Sequence, residues 1–141
     1  MKKRQYFRAI RRDLKYLILC STRTDEEVET MADVNKAVKR FGYEDSGHHI
    51  VIRRDGTVEG ARSLDEPARC SRAHNVEAIS VAYIGGVMDG EPFFTATRAQ
   101  LDAMKAVVTT LKHSFPMVEV HTRHELTGGD PGSEELNELR I

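Results

Sequence analysis

Two short apolar runs constrain this chain more than any other feature. "YLILC" (Tyr16–Cys20) and "AISVAYIGG" (Ala78–Gly86) are too short for buried helices and lack the alternation of a half-solvated strand. Both read as buried strands, and the second is stopped by two glycines. Two helix-period segments need partners of their own. One starts at Thr24-Asp25-Glu26-Glu27, a Thr with Glu three residues later. It carries Val28, Met31, Val34, Val38 and Phe41 on one face and ends at Gly42. The other spans Ala96 to Ser114, with Leu101, Met104, Val108, Leu111 and Phe115 on its apolar face. Strands alternating with long helices predict an α/β fold: a single domain whose central mixed β-sheet of about five strands is flanked by helices. The predicted core includes Leu17, Leu19, Val51, Ile79, Val81, Ile84, Val108 and Leu111.

Between the first helix and the second apolar run lies "GHHIVIRRDGTVEGAR" (Gly47–Arg62). Ile50 to Arg53 alternate, Asp55-Gly56 is a favoured hairpin turn, and Thr57 to Glu59 resume the strand. Side chains alternate faces along a strand, so His48 and His49 cannot both point into one pocket. Leu64 to Asn75 reads as a loop. Met117 to His121 reads as a last short strand, and the charged tail after "GGDPG" as one or two helical turns.

With 141 residues and a formal net charge of −1, the chain has one domain's worth of core and no global attraction for nucleic acid or membrane. Residues 1–14 form a basic N-terminal arm containing Lys2, Lys3, Arg4, Arg8, Arg11 and Arg12, and residues 15–141 form the domain. The apolar stretch behind the arm is too short for a secretory h-region, so synthesis in the cytoplasm is expected. Cys20 and Cys70 are the two cysteines, and their spacing matches no metal or redox motif; two reduced thiols are expected.

Four stretches then align, in order, with one family: "LCST"; "FGYEDSGHHIVIRRDGTVEGAR"; "AHNVEAISVAYIGG"; and "FTATRAQLDAMKAVVTTLKHSFP" leading to "VHTRHELTGGDPG". The set resembles the type 2 N-acetylmuramoyl-L-alanine amidases, which include the amidase-type phage lysozymes and the animal peptidoglycan-recognition proteins. The resemblance covers Tyr16 to Gly132. It implies that fold, peptidoglycan or a muropeptide as ligand, and an origin in a phage or its host with release at lysis. It also implies a zinc ion on three protein ligands, whose bound water attacks the amide between the lactyl group and L-alanine.

Carried over residue by residue, that implied site is incomplete. The first-strand histidine falls on Leu19, which has no donor atom. The second ligand falls on His124, or on Arg123 if the loop aligns one residue differently. The third falls on Asp130. An assisting tyrosine falls on His48, and an assisting lysine on Gly128-Gly129, which offers no functional group. Arg123, His74 and Asn75 are the candidate substrate-binding positions, while His49 matches a histidine of the scaffold. Three readings follow. The chain is an amidase-fold protein with a degenerate zinc site and a binding or regulatory role toward peptidoglycan or a protein partner that the sequence does not name, needing no cofactor. Or it is an active zinc amidase with a rearranged set of His48, His124 and Asp130. Or the basic arm is the working part, docking an acidic protein or, less favoured by the charge balance, nucleic acid.

Overall fold

The computed structural model describes residues 12–139. Most of the basic arm therefore lies outside the described residues. The central sheet has five strands in the order β3-β2-β4-β1-β7. These are β1 (Tyr16–Ser21), β2 (Ile50–Ile52), β3 (Val58–Gly60), β4 (Ala78–Tyr83) and β7 (Glu119–Thr122), while β5 (Val87–Met88) and β6 (Glu91–Pro92) form a separate small ribbon. β1 lies parallel between β4 and β7, and β2 lies parallel to β4. β3 pairs antiparallel with β2 through the hairpin. Gly56 makes that turn with φ of +91°, where its N–H donates to the Arg53 carbonyl at 2.8 Å. Both apolar runs occupy the middle of the sheet, where no strand edge and no face meets water.

Helix α1 is Met31–Lys39 and α2 is Arg98–Ser114. The start of α1 corrects the sequence reading. The capping box is Thr30 with Asp33, not Thr24 with Glu27. Thr24 is instead drawn to the sheet: its N–H donates to the Gly85 carbonyl at 3.0 Å, and its hydroxyl meets that of Thr22 at 2.7 Å. Tertiary bonds thus outcompete the local cap. Because α1 ends at Lys39, Phe41 escapes the predicted apolar face and is 79% exposed. α2 starts at Thr97, which is capped reciprocally with Gln100, close to the predicted boundary. The last strand begins two residues later than predicted, and Met117 is 87% exposed.

A short helix, α3 (Arg123–Thr127), went unpredicted, although its capping box of Thr122 and Glu125 is legible in "TRHE". The charged tail forms a 3-10 helix over Pro131–Leu139, where Leu136 is fully buried. No helix among the described residues is long and apolar enough to cross a membrane.

The two faces of the sheet are covered unequally. Under α2 and the C-terminal 3-10 helix, Leu17, Leu19, Val81, Tyr83, Met104, Val108 and Leu136 form one continuous cluster. All eight predicted core residues are buried. Each large side chain removed from water there contributes about 1.5–3 kcal/mol. Gln100 completes this side, donating its amide to the Ile52 and Ile84 carbonyls at 3.0 and 3.1 Å. On the opposite face, α1 buries only Val34, against Val51 and Ile84. A neighbouring patch of Ile18, Cys20, Ala78 and Ala82 is covered by Cys70 and Leu126. The space between these patches opens as a cleft.

His49 belongs to the scaffold. Its Nδ1 accepts from the Ser80 N–H at 3.0 Å, which makes Nε2 the protonated nitrogen, donating to the Glu66 carbonyl at 2.7 Å. Arg12 docks beside it, donating to the carbonyls of Leu64, Val76 and Ala78 at 2.9–3.0 Å. Burial first, and the Arg12 charge after it, push the His49 pKa from 6.5 to about 4. The unfolded chain therefore takes up a proton in this window before the folded chain does, and stability falls as pH drops from 6.5 toward about 4. Urea midpoints measured across this range should show that slope, and His49→Gln should flatten it while lowering stability at neutral pH.

Candidate functional site

The cleft has a volume of about 630 Å³. One wall is the end of α1 with Val38, Phe41 and Tyr43; the other is the loop Arg69–Arg72; the floor holds Thr22, Arg23, His48 and Arg123. The loop wall depends on two residues. Asn75 accepts the N–H groups of Cys70 and Ser71 on its side-chain oxygen at 2.8 and 2.9 Å. Gly47, at φ of +79°, lets the wall close against the hairpin, because a Cβ there would lie 2.6 Å from the Arg69 carbonyl oxygen. Arg69 is held by the Asp45 carbonyl and stacks over the Tyr43 ring at 4.1 Å.

His48 reaches the cleft from just before β2. It is buried, and its Nδ1 lies 2.6 Å from the Ser80 hydroxyl. Burial lowers its pKa below the usual 6.5, so the ring is neutral at pH 7. His48 and His49 thus point apart, one into the cleft and the other into the scaffold.

The floor is organised by a buried ion pair. Arg123, the first residue of α3, sends Nε and Nη2 to Asp130 Oδ2 at 3.0 and 2.9 Å, and Nη2 also donates to the Ser21 carbonyl at 2.6 Å. Asp130 is fully buried. Its Oδ2 also accepts the Ser21 N–H at 2.9 Å, and its Oδ1 accepts the Ser21 hydroxyl at 2.6 Å. Gly86 makes room for this arrangement: a Cβ there would lie 2.2 Å from the Ser21 Oγ. Both Asp130 oxygens are therefore engaged by the protein itself.

The other candidates separate. Leu19 points away from the cleft into the cluster beneath α2, and its neighbour Cys20 takes the cleft-side face. The order of the strand's alternation decides this. His124 does not line the cleft; its backbone N–H donates to Ser133 Oγ at 3.1 Å, while its Nδ1 is buried without a partner. His74 sits behind the wall, bonded to the Ser71 hydroxyl at 2.8 Å and edge-on to Tyr16. Of the sequence candidates, His48, Asn75 and Arg123 share the cleft, with Asp130 directly behind Arg123. Among the described residues, no group of three or more His, Cys, Asp or Glu is placed to hold a metal ion.

No family model matches the chain. An endolysin of Enterobacteria phage K11 is 26% identical over 113 residues, 79% of this chain and 75% of that protein. The N-acetylmuramoyl-L-alanine amidase LysC from Clostridium intestinale superposes with a TM-score of 0.74 at 18% identity, over 95% of this chain and 85% of the other. The chain is thus similar in sequence to phage endolysins and shares the fold of the N-acetylmuramoyl-L-alanine amidases and peptidoglycan-recognition proteins. Wild-type Drosophila PGRP-LB shares the fold at a TM-score of 0.73 and 16% identity, over 92% of this chain and 81% of the other. Within this cleft, the lining residues of the described chain include Arg23, Arg69, Arg72 and Arg123 but no carboxylate. The surface offered to a ligand is cationic and apolar.

Removing one partner of a buried ion pair leaves the other charge desolvated, at a cost of about 3–5 kcal/mol. Arg123→Ala and Asp130→Asn should each lose stability on this scale in urea unfolding. Replacing both with leucine should cost less than either single change. A loss below about 1 kcal/mol for Arg123→Ala would mean that the pair is solvent-screened.

Proposed function

We propose that this chain is a degenerate member of its family, which captures peptidoglycan fragments in the cleft without hydrolysing them. The observation that carries the reading is the Arg123–Asp130–Ser21 cluster, in which Arg123 and Asp130 fall where the resemblance implies zinc ligands. A zinc ion needs deprotonated donors and a water position. Here the one carboxylate of the set is saturated by a guanidinium and by Ser21, and a dication beside it would face the fixed charge of Arg123. Leu19 offers no donor, and His124 does not converge with His48 on the cleft. The residues present do not fit the zinc of the family, so no hydrolytic step is derived through it. The rearranged set of His48, His124 and Asp130 has the same difficulty.

What remains suits binding. The LysC structure is named an amidase, and a related structure contains tracheal cytotoxin bound to peptidoglycan-recognition proteins. A muropeptide carries carboxylates and apolar methyl groups, and the cleft presents guanidinium groups beside Val38 and Phe41. Arg23 and Arg72 are the cations here to which no carboxylate is bonded within the cleft. Neutral His48 can donate or accept a hydrogen bond but adds no charge.

The test is calorimetry with soluble muropeptides, alongside metal analysis after zinc loading and desalting. The expected outcome is saturable binding, weakened about tenfold or more by Arg23→Ala (one charge-assisted bond, about 1.5–3 kcal/mol), with less than stoichiometric zinc and no release of muramoyl peptides from cell walls. Stoichiometric zinc with hydrolysis would overturn the degenerate reading. Absence of muropeptide binding would overturn the capture reading.

A further inference from the structure

The cleft floor contains a thiol pair that neither muropeptide capture nor the ion pair uses. Cys20 projects from β1 on the cleft face and is fully buried. Cys70 lies on the loop wall, partly exposed, and lines the cleft. The two are far apart in sequence, but Cys70 packs against the buried cluster that contains Cys20. Ser80 Oγ lies 3.4 Å from the Cys20 sulfur and 2.6 Å from His48 Nδ1. The wall holds Cys70 in place from several sides: its N–H and that of Ser71 bond to Asn75, and the Arg69 N–H bonds to the Gly47 carbonyl at 2.9 Å.

A buried structural cysteine is usually inert; a reactive one sits partly exposed in an electropositive setting. Cys70 meets the second description, with the cationic Arg123 behind it. We propose that Cys70 is a hydroperoxide-reactive thiol and that Cys20 is its resolving partner, so that the pair closes to a disulfide joining β1 to the cleft wall. The Cys70 thiol is also activated: interaction with the Cys20 side chain, against the opposing effect of burial and with help from Ser80 and the Arg123 charge, brings its pKa from 9.0 down to about 7.

The chemistry balances with the hydroperoxide as sole oxidant. The Cys70 thiolate attacks the peroxide oxygen, forming an S–O bond and breaking the O–O bond. Sulfur gives up two electrons, and the departing alkoxide or hydroxide takes the thiol's proton. Cys20 then attacks the sulfenic sulfur, forming the S–S bond as the S–O bond breaks, and its proton leaves with the hydroxide as water. Burial raises the Cys20 pKa, so Cys20 is a poor first nucleophile but lies in the cluster against which Cys70, the sulfur it must resolve, is packed. The product ties a central strand to the loop carrying Arg69, Ser71 and Arg72, and so sets the width of the cleft.

The experiment treats the full chain with hydrogen peroxide and follows it by peptide mass spectrometry and thiol titration. Both titratable thiols should be lost together, with one intramolecular crosslink between the Cys20 and Cys70 peptides. In Cys20→Ser, Cys70 should accumulate as a sulfenic acid trapped by dimedone. In Cys70→Ser, Cys20 should stay unmodified. A chain that keeps both free thiols, or that crosslinks only between molecules, overturns the proposal. Should Cys20→Ser fail to fold, the wild-type chain still decides the matter through the pH profile of Cys70 alkylation by iodoacetamide. A midpoint near 7 supports an activated thiol, and a midpoint at the ordinary 9.0 overturns it.

Discussion

The Arg123–Asp130 pair is the interaction on which the cleft depends. It joins the end of β1, the first turn of α3 and the entry to the C-terminal 3-10 helix, three pieces that no local hydrogen bonding would bring together. Two opposite charges out of water carry a desolvation cost that Coulomb attraction alone does not repay. Here the remaining valences are met as well: Asp130 takes the Ser21 N–H and hydroxyl, and Arg123 donates to the Ser21 carbonyl. The pair therefore specifies geometry more than it adds stability. It holds Arg123 at the floor of the cleft and allows Leu136 to seal the core behind it.

That geometry has a chemical consequence for a family fold built around a metal ion. A guanidinium is a fixed, permanently charged donor, whereas zinc is an exchangeable Lewis acid with an open coordination position. On the degenerate reading proposed above, a guanidinium in place of the metal would keep the charge balance of the floor while removing the means of acidifying a water. The unequal covering of the sheet then matters more. α1 buries a single residue fully, so the cleft remains open beside it, lined by arginines whose carboxylate partners lie elsewhere or are missing from the lining. A cleft of this kind is suited to holding an anionic, partly apolar ligand.

Much of this was legible residue by residue. The apolar runs read as central strands because no other element buries such short segments on both faces. Asp55-Gly56 read as a turn because few other dipeptides tolerate its backbone. The errors have a common cause. Thr24-Glu27 is a sound capping box on paper, but the Thr24 N–H and hydroxyl find partners on the β4 end and Thr22, and the helix starts at Thr30 instead. "TRHE" holds a true capping box, Thr122 with Glu125, but the five-residue helix it starts is too short to show apolar periodicity.

By itself the sequence determined the order of elements, the α/β architecture, the core residues and the family resemblance, because these follow from apolar periodicity, turn chemistry and motifs in register. It also showed that Leu19 has no donor atom. Only the tertiary structure decided which way Leu19 and Cys20 face, that Arg123 rather than His124 enters the cleft, that Asp130 is already satisfied, and that Cys70 packs against the cluster containing Cys20. Facing, saturation and contact are pairwise properties of residues brought together across many intervening positions. No single residue carries them, and one step of strand alternation or helix rotation reverses them.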